Sequence, residues 1–259
     1  MNKLRIGFAG DREIAVQVLD LILGQGVKPL VLLVPDDDQA SHAEFLIARC
    51  SHLDASHIVR GVAFSQDDHV RLLESLQLDY LICVHFPLMV PRRVLQAARI
   101  GALNLHPAFL PYNRGWHTPS WAILEGSPYG ATLHFMDERV DMGDIVHQKR
   151  VDVLASDTAH SLYIKALEAE VEVFAEAWPS LVSEQFARIP QDAEEGSSHR
   201  REELFHPEVQ KISLDKALSA DDLLRQLRAL TTSRVDEAAY FDKDGKRYRV
   251  QLQITEEPR

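Results

Sequence analysis

The order of apolar and polar positions divides the chain into alternating strand and helix segments. A short apolar run at 4–9 ends at Gly10, and residues 13–23 then carry apolar side chains at helical spacing until Gly24 and Gly26 close the segment. Residues 28–34 have a continuous apolar core, the form taken by a strand covered on both faces of a parallel sheet. A strand, a turn, a helix and a strand in that order predict an α/β fold with a Rossmann-like, doubly wound, mostly parallel sheet and helices on both faces. The pattern further predicts helices over about 43–50, 67–76 and 92–98, a short strand near 57–59 and a clear strand over 80–84. Between them, His85 to Pro91 holds two prolines bracketing apolar residues and cannot be regular structure. An apolar loop at the carboxyl end of a strand either caps the core or lines a pocket for a flat aromatic ligand.

The segment from Gly101 to His106 alternates by two. Leu103 and Leu105 are apolar, so a strand sends Asn104 and His106 to one common face. Pro107 ends it, because proline cannot donate a ladder hydrogen bond. Residues 115–125 predict a helix carrying Trp116, His117 and Trp121; 131–136 and 145–153 predict strands. A long helix over 159–182, with Leu162, Ala166, Val173 and Leu181 at helical spacing, closes the main domain. The stretch 190–198 is acidic and rich in small residues, and a charge run follows at 199–203, which marks a linker. The expected division is a catalytic domain over 1–189 and a small C-terminal subdomain over 190–259. That subdomain holds a helix at 220–230 and a β-hairpin whose strands, 238–241 and 246–254, flank Asp242-Lys243-Asp244-Gly245, a strong turn signal.

Composition narrows the classes. The 259 residues are 46% hydrophobic and 26% charged, as expected of a globular protein with a real core. A formal net charge of -11 argues against general nucleic-acid binding. No run approaches the roughly 20 apolar residues of a membrane helix, and Arg5, Asp11, Arg12 and Glu13 interrupt any signal-peptide pattern, so a cytoplasmic protein is expected. Cys50 and Cys83 read as small buried hydrophobes. Gly10 stands alone where a dinucleotide fingerprint wants three glycines, and Asp36-Asp37-Asp38 reads as a solvated turn.

Asn104, His106 and Asp141 hold the chemistry. A carboxamide can donate to an oxygen that gains charge. An imidazole can move a proton near neutral pH, and a carboxylate can fix its tautomer and raise its basicity. No serine or cysteine belongs to the set, so the nucleophile comes from the substrate. That suits acyl transfer to an amine. A metal hydrolase is the competing use of these residue types, but His85, His106, His117, His134 and His147 show no metal-ligand spacing, so no metal is expected.

The motifs Asn104-Leu105-His106-Pro107, Leu110-Pro111-Tyr112-Asn113-Arg114-Gly115 and Asp141-Met142-Gly143-Asp144-Ile145 resemble those of the 10-formyltetrahydrofolate-dependent formyltransferases. The resemblance implies the formyltransferase fold and 10-formyltetrahydrofolate as formyl donor. It also implies Asn104, His106 and Asp141 as catalytic residues, with Asp144 a neighbour. Phe86, Pro87, Leu88, Met89 and Val90 resemble the family's folate loop; Asp137, Glu138, Arg139 and Val140 resemble the opposite wall. His199-Arg200-Arg201, 227–231 and the Ala239-Tyr240-Phe241 hairpin are similar to the nucleotide-sugar N-formyltransferases. That subgroup implies an acceptor amine on a dideoxy sugar carried by dTDP or GDP, such as dTDP-4-amino-4,6-dideoxyglucose, a dTDP-3-amino sugar or GDP-perosamine, for surface polysaccharide or O-antigen synthesis. It also implies a homodimer through the C-terminal region.

On this reading Gly10, Asp11 and Arg12 lie at the substrate, with Arg12 reaching the diphosphate from a helix N-terminus. Arg114, Trp116 and His117 form or support the sugar-nucleotide pocket. Tyr240 either stacks on the base or packs on a second subunit. The alternatives are a formyl hydrolase that uses the same triad on 10-formyltetrahydrofolate, transfer to a different small amine, and a non-catalytic binding module.

Overall fold

The computed structural model describes residues 4–257. Its strands are β1 (Ile6–Gly10), β2 (Val31–Val34), β3 (Ile58–Arg60), β4 (Leu78–Val84), β5 (Ala98–His106), β6 (Arg114–Gly115), β7 (Tyr129–Phe135), β8 (Ile145–Val151), β9 (Ser198–His199), β10 (Ala239–Lys243) and β11 (Lys246–Val250). Its helices are α1 (Arg12–Gly24), α2 (Ala43–Arg49), α3 (Asp67–Ser75), α4 (Arg92–Leu95), α5 (Thr118–Glu125), α6 (Ala159–Ser183), α7 (Pro207–Gln210) and α8 (Ala220–Ala229). Contacts divide the chain into two compact units. One runs up to His106 and includes Thr132–Gln148 and Glu170–Gln191; the other holds Pro107–Ala131, Lys149–Ala169 and the chain from Asp192 on.

Among the described residues the main sheet has seven strands in the order β3-β2-β1-β4-β5-β7-β8. β1 to β5 pair in parallel, and β7 joins β5 antiparallel. The apolar runs form central strands because both faces are covered. On one face Leu81, Cys83 and Ala102 join Val70 and Leu73 of α3 and Val94 and Leu95 of α4 in one buried cluster. Tyr80 points to the other face and donates its hydroxyl to the Leu181 carbonyl of α6 at 3.0 Å. The carboxyl ends of β1, β4 and β5 thus share one edge, where open α/β sheets place their sites.

In the second unit, Ala122, Ile123, Tyr129, Ala159, Leu162, Ala166 and Ala229 form one apolar cluster, and Leu204, Leu230 and Ala239 a smaller one. Asp157 opens α6: it accepts from Lys165 Nζ at 2.7 Å, Leu154 N at 2.7 Å and Ser161 Oγ at 2.9 Å. β10 and β11 form the expected hairpin, which ends at Val250 rather than 254.

Other segments also differ from the sequence expectation. α5 begins at Thr118, not Gly115, because Arg114 and Gly115 pair in parallel with Ser198 and His199. Trp116 and His117 therefore sit in the turn before the helix. α4 ends at Leu95 because β5 takes the chain from Ala98, paired with Leu78. The stretch from Asp192 to Ser197 is tied down: Asp192 O accepts from Arg114 Nη2 at 3.0 Å, and Ser197 O from Arg114 N at 2.9 Å.

Candidate active site

Strand register builds the site. Cys83 is paired with Asn104, and Asn104 with His134, while His106 is opposite Thr132. Paired residues of adjacent strands share a face, so Asn104, His106 and His134 all stand on the Cys83 side. His106 and His134 meet edge to face, with ring centres 6.2 Å apart. Asp141 comes from the turn after β7, in a left-handed conformation with φ 52°. Gln191 holds that turn by donating its amide to the carbonyls of Asp141, at 2.9 Å, and Gly143, at 2.7 Å. Gly143 is required there: a Cβ would lie 1.9 Å from the Phe135 carbonyl oxygen.

The Asp141 carboxylate stands 3.6 Å from His106 Nε2, 3.5 Å from His134 Nε2 and 3.4 Å from Asn104 Nδ2. His134 Nδ1 donates to the Phe135 carbonyl at 2.7 Å, and its Nε2 lies 3.3 Å from Asn104 Nδ2. Both contacts of the amide are long and therefore weak, so it can turn toward an oxygen that gains charge. His106 and Asp141 are nearly withdrawn from water, where such interactions strengthen, and Asn104 is half-buried.

A narrow cavity of about 150 Å³ opens onto this group. It is lined by Phe86, Leu88, Met89 and Val90 and by Asp137, Glu138, Arg139, Val140 and Asp141, with Cys83, Met136, Asn104 and His134 completing it. Pro87 does not line it. Arg139 is folded onto Asp137, its Nη2 2.7 Å from Oδ2. Burial pushes the Cys83 thiol up to about 12, so it serves as wall and not as nucleophile. Among the described residues no group of three or more His, Cys, Asp or Glu side chains could hold a metal.

Other expected residues take different positions. Gly10 and Asp11 are buried, and the Asp11 carboxylate accepts from Ser41 N, Ser41 Oγ and His42 N at 2.8 to 3.2 Å. It anchors a neighbouring loop. Arg12 is exposed at the start of α1. In the second unit Arg114 is buried, and the Trp116 ring lies under the Arg201 guanidinium, 5.1 Å from its centre. His117, with φ 56°, stands 3.7 Å from Glu237 and edge to face with Phe205. Burial lowers its pKa; Glu237 opposes the shift. Its Nε2 has no partner among the described residues. Tyr240 is buried with the Arg247 guanidinium 3.7 Å above its ring, so it packs within the hairpin rather than offering an open face to a base.

Sequence reasoning missed His134 and Gln191. His134 had a signal: Thr132 and His134 are polar two apart on a strand buried along its whole length. Gln191 had none, since a side chain reaching back some 50 residues leaves no local pattern.

Residues 27–178 match the family model described as "Formyl transferase", and residues 207–256 match the "N-formyltransferase dimerization C-terminal domain". A dTDP-4-amino-4,6-dideoxyglucose formyltransferase of Mycobacterium tuberculosis is 26% identical over 180 residues, 69% of this chain and 74% of that protein. The crystal structure of a 4-N formyltransferase from Francisella tularensis superposes with a TM-score of 0.82 at 25% identity, covering 99% of this chain and all of that one. An N-formyltransferase from Helicobacter canadensis, solved with folinic acid and dTDP-3-aminofucose, gives 0.69 at 22% identity, over 95% of this chain and 85% of that one.

Proposed function

The chain belongs to the formyl transferase family, and from that premise we propose that it moves a formyl group from a 10-formyl folate to the amine of a nucleotide-linked amino-dideoxy sugar. The observation that carries the reading is the meeting of Asn104, His106 and Asp141, two of which line the cavity, with no serine or cysteine among the three. A flat heteroaromatic ring suits that cavity, because Phe86, Leu88, Met89 and Val90 line it together with a few polar side chains. Phe86, Leu88, Met89, Val90 and residues 137–140 would hold it. The folate supplies the activated formyl carbon and a nitrogen leaving group.

The residues divide the work by chemistry. Asn104 Nδ2 donates to the formyl oxygen, where negative charge grows as the amine attacks. His106 Nε2 takes a proton from that amine and returns it to the departing nitrogen. Asp141, 3.6 Å from that same nitrogen, stabilises the imidazolium formed in between by its charge. The relative from Mycobacterium tuberculosis and the Helicobacter canadensis enzyme, by their names and ligands, favour a dTDP-linked sugar over other amines. Arg12, Trp116 and His117 are proposed contacts to that acceptor.

The chain's division at about residue 190, catalytic before and assembling after, is part of the same proposal. The dimerization-domain match and the exposed Leu214, Leu218, Leu224 and Val235 favour a homodimer made by the tail. Among the described residues no helix is long and apolar enough to cross a membrane, which accords with a cytoplasmic enzyme.

The test is formylation with 10-formyltetrahydrofolate and a panel of dTDP- and GDP-linked amino sugars, read by product mass. A gain of one formyl group on one sugar, lost in His106→Ala, is expected. Free formate without a sugar product would move the reading to a hydrolase, and no donor consumption with any acceptor would refute it.

A further inference from the structure

His85 and Glu170 stand outside the catalytic group, and neither side chain lines the cavity. Glu170 is a carboxylate with no exposure, set in the apolar stripe of α6 between Ala166 and Val173. Carboxylates are almost never fully buried without a partner. Here the partner is His85, whose Nε2 lies 3.0 Å from both Glu170 oxygens.

The position of His85 gives this pair a consequence for the cavity. Along β4, odd residues Leu81 and Cys83 face α3 and α4, while Tyr80 faces α6. Continued alternation would send His85 to the Cys83 side. It does not go there. His85 has φ 49°, a left-handed conformation disfavoured for a residue with a Cβ. Its ring reaches α6 on the opposite face. The inversion carries over to the next residue: Phe86, an even position, now packs on the Cys83 side, edge to face with Phe64 at 5.5 Å. Phe86 opens the cavity-lining loop that continues through Leu88, Met89 and Val90. The left-handed turn and the buried hydrogen bond therefore occur together where β4 becomes the cavity wall.

We infer that His85 and Glu170 are a positioning pair for the donor: Glu170 holds the His85 ring on the α6 side and so sets the face on which the 86–90 loop meets the folate. The inference rests on the folate reading of the cavity given above. Neither residue touches the reacting atoms. Their loss weakens donor binding, while the catalytic trio, on β5 and the 136–144 turn, keeps its geometry.

The test uses the full chain and folinic acid as a non-transferred donor analogue, titrated against wild type and variants, with melting temperatures taken in parallel. His85→Asn is the decisive variant. Asparagine tolerates the left-handed backbone but is too short to reach Glu170. Its folinic acid affinity is expected to fall about tenfold, as for loss of one buried hydrogen bond to a charged group. Glu170→Ala should fall by a similar factor, and Glu170→Gln, which keeps an acceptor, by no more than about threefold. His85→Asn/Glu170→Ala should be no weaker than the worse single variant, since both remove the same interaction. In turnover the loss should sit in the donor KM, with kcat little changed. A folded His85→Asn within about twofold of wild type, or a double variant whose losses add, overturns the inference. Wild type that fails to bind folinic acid overturns the folate reading itself, and the inference with it.

Discussion

Asp141→Asn is the sharpest test of the proposed chemistry, because it removes a charge and little else. Asp141 sits at φ 52°, and asparagine accepts that conformation at least as readily as aspartate. The turn around it is held through main-chain carbonyls, by Gln191 on Asp141 O and Gly143 O, and these bonds do not depend on the side chain. The variant should therefore fold and melt close to wild type. What it loses is the anion 3.6 Å from His106 Nε2 at the moment that ring becomes charged. At an effective dielectric of about 20, a unit pair at that separation is worth about 4–5 kcal/mol, an upper bound on the stabilisation. Lost from the transition state alone, that corresponds to a fall in kcat of about three orders of magnitude. Steady-state formylation with mass detection reads it, with donor and acceptor KM expected within a few fold of wild type. A folded Asp141→Asn enzyme that keeps more than about a tenth of the wild-type kcat would show that the charge does not act in the transition state, and the role given to Asp141 would fall.

Other expectations concern stability and reactivity. Burial alone would raise the Asp157 carboxyl, but Lys165, the Leu154 amide and Ser161 outweigh it and hold it below the usual carboxylate value. Its folded pKa is thus depressed. The stability it contributes is complete above the unfolded value of about 3.9 and is lost as pH falls through the folded one, so Asp157→Asn should flatten the acid limb of melting temperature against pH. An identical acid limb in wild type and variant refutes this. Gly143→Ala forces a Cβ against the Phe135 carbonyl and should cost about 1–3 kcal/mol, seen as a melting point lower by several degrees; an unchanged melting point would mean the turn can move. The thiols of Cys50 and Cys83, pushed by burial up to about 11 and about 12, should not react with Ellman's reagent in the native protein, and fast labelling of either would contradict their burial.

How much of the fold and the site is legible in the sequence follows from how far each signal reaches along the chain. Strand periodicity is local, so alternation around Leu103 and Leu105 already placed Asn104 and His106 on one face, and the register of β4, β5 and β7 keeps them there. Continuous apolar runs predicted parallel central strands for the same reason. The α5 boundary failed because the competing partner of Arg114 and Gly115 is more than 80 residues away, at Ser198 and His199. Tyr240 shows a related limit: an aromatic on a hairpin reads as a free surface, whereas Arg247 from across the turn lies over its ring. The left-handed residues were hidden more deeply. His85, His117 and Asp141 each adopt positive φ without being glycine, a conformation that His and Asp visit more often than most residues but that residue type alone does not announce. Such conformations persist only when the surroundings over-determine them. For His85 the determinant is a carboxylate on α6, and for Asp141 it is an amide at residue 191. Glu170 itself could have been found, since one charge on a buried helical stripe breaks the pattern and demands a partner. The sequence therefore exposes a conflict with local rules more readily than the distant contact that resolves it. In this chain Asp141 lines the cavity with Asn104, and His85 directly precedes Phe86, where the cavity wall begins.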